Sequence, residues 1–308
     1  METNIKNHKI IVTGGAGFIG TNLVRRLATN NEVIVIDNMH TGSDKNIKDL
    51  VDAGKVELLH EDVKNINKLE RKVDLIFHMG FYSASPMYRN NPMLVSEVVG
   101  GMIALLEYCK NNNVNMVFSS TSSIYNEVKP PHKEDIIPGV TDFYTEARIY
   151  SERMAELYNK LFGVNVAAMR FFSVYGKYEK AKGEYANLVT QFLWNIKDGK
   201  KPVIYGNGEQ RRDFVYVEDL IDALLLASKV KGFEVFNVGF GKNYSLNEML
   251  SMLNKYLGTK AEPEYITMPV KNYVMETLAD TSKAEKVLGF KAKTTLEEGI
   301  RIISEFYS

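Results

Sequence analysis

Tyr144 and Arg148 stand four residues apart at the opening of a helical pattern and share one face of it. A fixed cation near a phenol stabilises the phenolate, so such a pair can take a proton from a substrate hydroxyl. A second cluster, Ser119-Ser120-Thr121-Ser122-Ser123-Ile124-Tyr125, supplies hydroxyl groups, and that of Thr121 could share the same proton. Taken alone, a tyrosine and an arginine on one turn are more often an ordinary surface pair.

The elements that would position this chemistry begin near the N-terminus. An apolar run, Lys9-Ile10-Ile11-Val12, leads straight into Thr13-Gly14-Gly15-Ala16-Gly17-Phe18-Ile19-Gly20. Gly14 suits the tight turn, Gly17 lets a pyrophosphate approach the backbone, and Gly20 lets the next helix pack against the sheet. A second apolar run, Val33-Ile34-Val35-Ile36, ends on Asp37, placed to accept hydrogen bonds from an adenosine ribose. Its charge would repel a 2′-phosphate, so the pattern predicts NAD and not NADP. Glycines that merely serve a turn are the weaker alternative, because the strand, the following apolar helix (Leu23, Val24, Leu27) and the acid are all present.

Further strand patterns fall at 56–59, 74–78, 115–119 and 166–170, alternating with helical patterns near 21–29, 94–112 and 147–162. Alternation of this kind predicts an α/β fold, a Rossmann-type doubly wound parallel sheet with ligands beyond the C-terminal strand ends. Past residue 176 come helical patterns near 184–198, 217–229, 245–257 and 295–306, with short extended pieces at 202–205 and 235–238. We therefore expect a dinucleotide-binding domain over 1–175 and a smaller mixed α/β substrate lobe over 176–308, with an approximate boundary that elements may cross.

The chain has 308 residues, and its 38 Lys and Arg balance its 38 Asp and Glu, which predicts no nucleic-acid partner. The one cysteine, Cys109, sits in an apolar pattern and reads as a buried thiol. No apolar run approaches a membrane span and no export signal is visible, so a cytoplasmic protein is expected. The five histidines lack metal spacing, and no metal site is expected.

Over essentially its whole length the chain resembles the extended short-chain dehydrogenase/reductases, specifically the nucleotide-sugar 4-epimerases. The resemblance rests on Thr13–Gly20, Asp37–Gly42, Glu61-Asp62-Val63, His78–Pro86, Ser119–Tyr125 and Tyr144. It continues through Arg170–Gly176, Tyr205–Gly208, Arg212–Asp219 and Leu278–Ala284. It implies Tyr144 as catalytic base, Thr121 as its hydroxyl partner and Arg148 as the accompanying cation. It implies NAD contacts from Gly14, Gly17, Phe18, Ile19, Asp37, Asn38, Asp62, Val63, Gly80 and Ser119, with Tyr144 and Arg148. It implies a UDP-sugar held by Ser83, Thr121, Ser173, Asn187, Leu188, Val203, Tyr205, Arg212, Lys271 and Thr277. Leu188 and Val203 read equally as core packing, and Arg212 alternatively as an ion-pair partner of Asp213 or Asp219.

The implied reaction is 4-epimerisation through a transient 4-keto sugar by a homodimer whose helices near 94–112 and 147–162 pair between subunits. Thr277, small where a bulky aromatic would exclude a 2-acetamido group, favours UDP-GlcNAc and UDP-GalNAc alongside UDP-Glc and UDP-Gal. Ser122 and Ser123 stand where related 4,6-dehydratases need acids, which argues against dehydration. The chain departs from the family at Arg148, where lysine is usual, at Glu97, where asparagine is common, at Ser173, where asparagine or threonine is, and at Val270, near which arginine is usual. Two alternatives stay open. One is a UDP-glucuronate epimerase or related reductase or decarboxylase; the other is a catalytically weak protein that binds NAD and a nucleotide sugar.

Overall fold

The computed structural model describes residues 5–136, 139–267 and 273–308. Its strands are β1 (Lys9–Thr13), β2 (Glu32–Asp37), β3 (Val56–His60), β4 (Leu75–His78), β5 (Asn115–Thr121), β6 (Val166–Phe171), β7 (Ser173–Tyr175), β8 (Val203–Tyr205), β9 (Arg211–Tyr216), β10 (Phe233–Val238), β11 (Asn243–Ser245) and β12 (Glu264–Ile266). Its helices are α1 (Phe18–Leu27), α2 (Lys48–Asp52), α3 (Ser85–Asn90), α4 (Leu94–Asn112), α5 (Phe143–Phe162), α6 (Leu188–Lys197), α7 (Val217–Ala227), α8 (Leu246–Leu257), α9 (Ser282–Leu288) and α10 (Leu296–Phe306).

Seven strands form one sheet in the order β3-β2-β1-β4-β5-β6-β10, and every neighbouring pair is parallel. A parallel sheet must be covered on both faces, and the near-continuous apolar runs of its strands answer that need. Leu23 and Val24 of α1 and Leu220 and Leu224 of α7 pack on one face. Met102, Leu105 and Leu106 of α4 and Ala147 and Ala155 of α5 pack on the other. Cys109 is fully buried in this second core, where burial pushes its thiol up to about 12. The fold is the doubly wound sheet expected from the sequence. Strand order reverses between β1 and β4, which places a crevice at their C-terminal ends.

The seventh strand, β10, comes from beyond residue 175 and pairs along β6 from Phe233↔Val166 to Val238↔Phe171. A third core joins Phe192 and Leu193 of α6, Leu246 and Leu250 of α8 and Ile300 and Ile303 of α10 into a smaller lobe. Two short sheets, β7-β9-β11 and β8-β12, belong to this part of the chain.

Several boundaries differ from the sequence pattern for local reasons. Helix α5 starts four residues before its apolar periodicity, because the Asp142 carboxylate accepts the Thr145 N–H at 2.8 Å and caps the first turn. Helix α6 starts late, at Leu188, because Asn187 caps it through the Val189 N–H at 3.0 Å. The preceding residues Lys180–Tyr185 form a 3-10 turn in which Gly183 has φ 51°.

Candidate active site

The β1–α1 unit needs glycine at positions 14 and 20. Gly14 has φ +67°, and a Cβ there would lie 2.5 Å from the Gly80 Cα at the end of β4. A Cβ on Gly20 would lie 2.0 Å from the Gly14 carbonyl oxygen. The two strand ends and the helix therefore meet backbone to backbone, and α1 begins without a side-chain cap, its first N–H groups open to the crevice.

Asp37 closes the other end of this crevice. Its carboxylate accepts the Ala16 N–H at 3.0 Å and the Met39 N–H at 2.8 Å. Each oxygen keeps a further lone pair for a ribose hydroxyl. Burial pushes the Asp37 carboxyl up from its ordinary range. A Cβ on Gly42 would reach within 3.0 Å of both carboxylate oxygens, so glycine there leaves the approach open. Asp62 caps a 3-10 turn through the Lys64 N–H at 2.8 Å, and Glu97 pairs with the Lys64 ammonium. Gly14, Gly17, Phe18, Ile19, Asp37, Asn38, Asp62, Val63 and Gly80 line one continuous cleft. That set fits a dinucleotide: a helix terminus for the pyrophosphate and an acid for the ribose.

Under the glycine loop, the Thr13 hydroxyl and the His78 Nδ1 lie 2.6 Å apart, both buried. Burial, with the nearby charge of Arg148, pushes the His78 imidazole down to about 3. The ring stays neutral beside the cleft.

A second cavity adjoins the first, and Ser83, Ser119, Thr121, Tyr144, Arg148 and Asn187 all line it. Thr121 ends β5 and its Oγ1 accepts the Ser123 N–H at 3.1 Å, which leaves its own O–H to donate. Tyr144 sits in the first turn of α5, its ring edge-on to Tyr88 at 5.5 Å. Arg148 is buried. Its guanidinium donates to the Tyr82 carbonyl at 3.0 Å and the Ser119 carbonyl at 3.5 Å, over the Phe81 ring at 3.8 Å. Its Nε has no partner among the described residues. The Tyr–Arg pair is thus no surface pair.

One turn further along the same face of α5, Glu152 accepts the Ser120 hydroxyl and forms a buried ion pair with Arg170 at 2.7 Å. Arg170 also donates to the Tyr125 hydroxyl at 2.8 Å, and that hydroxyl donates to Asn237 of β10 at 2.7 Å. This network fixes the Ser119–Tyr125 segment from beneath. Glu152 was identifiable in the sequence as the third member of the Tyr144–Arg148 spacing.

Of the other expected substrate residues, Ser173, Leu188, Val203, Tyr205, Arg212 and Thr277 lie outside the lining of either cavity. Ser173 opens β7 against Phe214, and Leu188 packs against the third core. Val203 and Tyr205 are partly exposed on β8, and Tyr205 meets Tyr273 edge-on at 6.2 Å. Arg212 makes neither of the alternative ion pairs, with Asp213 or with Asp219, among the described residues. Its guanidinium donates to the Arg211 carbonyl at 2.8 Å and to the Val274 carbonyl. Asp213 instead takes the N–H groups of Phe240, Gly241 and Ala279, and Asp219 those of Lys293 and Thr294. Thr277 is buried, its hydroxyl accepting the Asp213 N–H at 3.2 Å. Lys271 and Val270 lie outside the described residues. Among the lining residues that the sequence did not single out are Phe81, which carries Arg148, and Lys182, which lines both cavities.

The fold and this crevice define a dinucleotide-dependent α/β enzyme. Residues 10–239 match the NAD dependent epimerase/dehydratase family. A putative UDP-glucose 4-epimerase from Methanocaldococcus jannaschii is 33% identical over 304 residues, covering 95% of this chain and 96% of its own. The UDP-N-acetylglucosamine 4-epimerase from Methanobrevibacter ruminantium M1, solved with UDP-N-acetylmuramic acid, superposes with a TM-score of 0.93 at 28% identity, covering 98% of this chain and 99% of its own. The UDP-glucuronic acid 4-epimerase from Bacillus cereus, solved with UDP-glucuronic acid and NAD, gives 0.87 at 27% identity, covering 97% and 98%. The chain belongs to the NAD dependent epimerase/dehydratase family, and NAD is its cofactor.

Proposed function

We propose that this enzyme interconverts the C4 epimers of a UDP-sugar, UDP-GlcNAc and UDP-GalNAc first, with UDP-Glc and UDP-Gal as further substrates. The observation that carries the reading is the meeting of Tyr144, Thr121 and Arg148 in one cavity that opens into the dinucleotide cleft. When bound, NAD supplies a reversible hydride acceptor. The glycine loop and Asp37 would hold it, and the second cavity would hold the sugar. Tyr144 takes the proton of the sugar 4-hydroxyl while the Thr121 O–H steadies the same oxygen, and the proton returns once the other face of the sugar is presented. The Arg148 guanidinium, buried and held by Phe81, keeps a fixed positive charge 5.0 Å from the Tyr144 ring, beside the site of that exchange.

The N-acetyl preference is supported by the 0.93 superposition on the Methanobrevibacter enzyme; Thr277, expected to leave room for the acetamido group, is instead bonded to the Asp213 N–H outside both cavities. Asn187, Leu188, Val203, Tyr205, Arg212, Ser173, Ser83 and Lys271 are the residues we assign to the nucleotide sugar. Arg212 would have to leave the Val274 carbonyl to reach a diphosphate. In this reading residues 1–175 serve chiefly NAD and 176–308 chiefly the sugar nucleotide. A homodimer through α4 and α5 is supported by the exposed Leu157, Leu161 and Phe162, whereas Leu105 and Leu106 are buried within the chain. The Bacillus cereus likeness supports a second reading, epimerisation of UDP-glucuronate.

The test is parallel turnover of UDP-GlcNAc, UDP-glucose and UDP-glucuronate followed by NMR. UDP-GalNAc as the fastest-formed product upholds the proposal. UDP-galacturonate alone moves the assignment to the second reading, and no product from any of them overturns both.

A further inference from the structure

Lys182 stands between the two cavities and lines each of them. The dinucleotide cleft is rich in acids, Asp37, Glu61, Asp62 and Glu97, and Lys182 is the one lysine or arginine in its described lining. The second cavity has two such cations, Lys182 and Arg148. Arg148 is already committed to two carbonyls and the Phe81 ring. Lys182 forms no salt bridge within 4 Å among the described residues, and its Nζ lies 5.6 Å from the centre of the Phe18 ring. Phe18 is the first residue of α1, where the open N–H groups face the cleft.

The position is fixed by its surroundings. Just before Lys182, the buried Glu179 accepts the Asn187 N–H and the Thr190 hydroxyl, and its own N–H donates to the Tyr307 hydroxyl at 2.8 Å. The chain around Lys182 is thereby pinned across the junction, and the ammonium acts on the buried Glu179 carboxylate through its charge without forming a salt bridge among the described residues. A compact, rotatable ammonium suits two anions approaching from different directions better than a planar fork does.

We infer that Lys182 is a shared anion-binding residue that contacts the diphosphate of NAD on one side and the diphosphate of the sugar nucleotide on the other. This rests on the reading that the second cavity takes a nucleoside-diphosphate sugar. Two diphosphates brought to one half-buried junction repel each other, and a cation between them offsets the repulsion felt by both. A lysine belonging to one cavity would serve one ligand only.

The experiment uses purified enzyme with the variants Lys182→Met and Lys182→Arg. UDP affinity is measured by calorimetry, and NAD retention by the rate at which bound cofactor is lost on desalting. We expect Lys182→Met to weaken UDP binding roughly tenfold and to speed NAD loss by a similar factor, with flatter salt dependence for both. Lys182→Arg should keep most of each. A change in one ligand alone, or in neither, overturns the shared role. Wild-type enzyme that holds NAD and does not bind UDP would overturn the nucleotide-sugar reading and this inference with it, an outcome separable from the variant effects.

Discussion

The guanidinium of Arg148 stands 3.8 Å over the ring of Phe81 and 5.0 Å from the ring of Tyr144, so one cation is sandwiched into the site by an aromatic residue from the end of β4. The arrangement gives arginine here a geometry of its own. Two carbonyls, from Tyr82 and Ser119, fix the fork, and the Phe81 ring sets its plane.

The first prediction concerns this pair. Arg148→Lys keeps the charge but reaches one carbonyl and loses the stacked plane, so kcat should fall about tenfold. Phe81→Leu should lower kcat by a similar factor, and the double variant should lose less than the two combined, because both act through one contact. Steady-state kinetics of the three proteins checks this. A rate increase for Arg148→Lys alone would mean that the arginine is a defect.

Tyr144→Phe removes the phenol and should lower kcat by about 10²–10⁴, with UDP affinity within about twofold of wild type. Thr121→Val keeps the shape and removes one donated hydrogen bond, and should lower kcat about tenfold. Turnover measured beside calorimetric UDP binding separates chemistry from affinity.

His78 links stability to pH. Its imidazole is pushed from 6.5 in an exposed state down to about 3 in the fold. An unfolded chain therefore takes up a proton below about pH 6.5 that the folded chain refuses until about pH 3. The stability this group supports is fully present above 6.5 and is lost progressively as pH falls toward 3. His78→Asn should make unfolding midpoints less sensitive to acid between pH 7 and 4.5. Equal acid sensitivity in variant and wild type would refute the assignment.

The Glu152–Arg170 pair is almost fully buried and is tied to Ser120 and Tyr125. Removing one partner leaves an uncompensated charge, so Glu152→Ala should destabilise by about 3–5 kcal/mol. Glu152→Met with Arg170→Leu should recover much of that loss. Denaturant unfolding of the three chains measures it.

Much of this fold was legible because its signals are local. The β1–glycine–α1 unit and Asp37 declare themselves through backbone requirements, and α4 matched its apolar pattern end to end, closed by Asn113 in a left-handed cap. Tyr144, Thr121 and Arg148 were legible as types, and their convergence needed the parallel neighbours β5 and β6 beneath α5. The rest was hidden for physical reasons. β10 is six residues with no neighbour in sequence to mark it as the sheet's edge. Phe81 looks like a core residue until its ring is seen under a guanidinium. Lys182 is one lysine in a polar stretch, and only the fold sets it between two cavities. Arg212 and Thr277 were read by type, and their polar groups turn out to bind neighbouring backbone.

The central claim is that Tyr144 and bound NAD oxidise and re-reduce the sugar at C4. Turnover of UDP-GlcNAc carrying deuterium at C4, in ordinary water and followed by NMR, tests it directly. The account predicts UDP-GalNAc that retains the deuterium at C4, and turnover slowed by about 10²–10⁴ in Tyr144→Phe. Loss of the deuterium to solvent, or undiminished turnover by Tyr144→Phe, would contradict it.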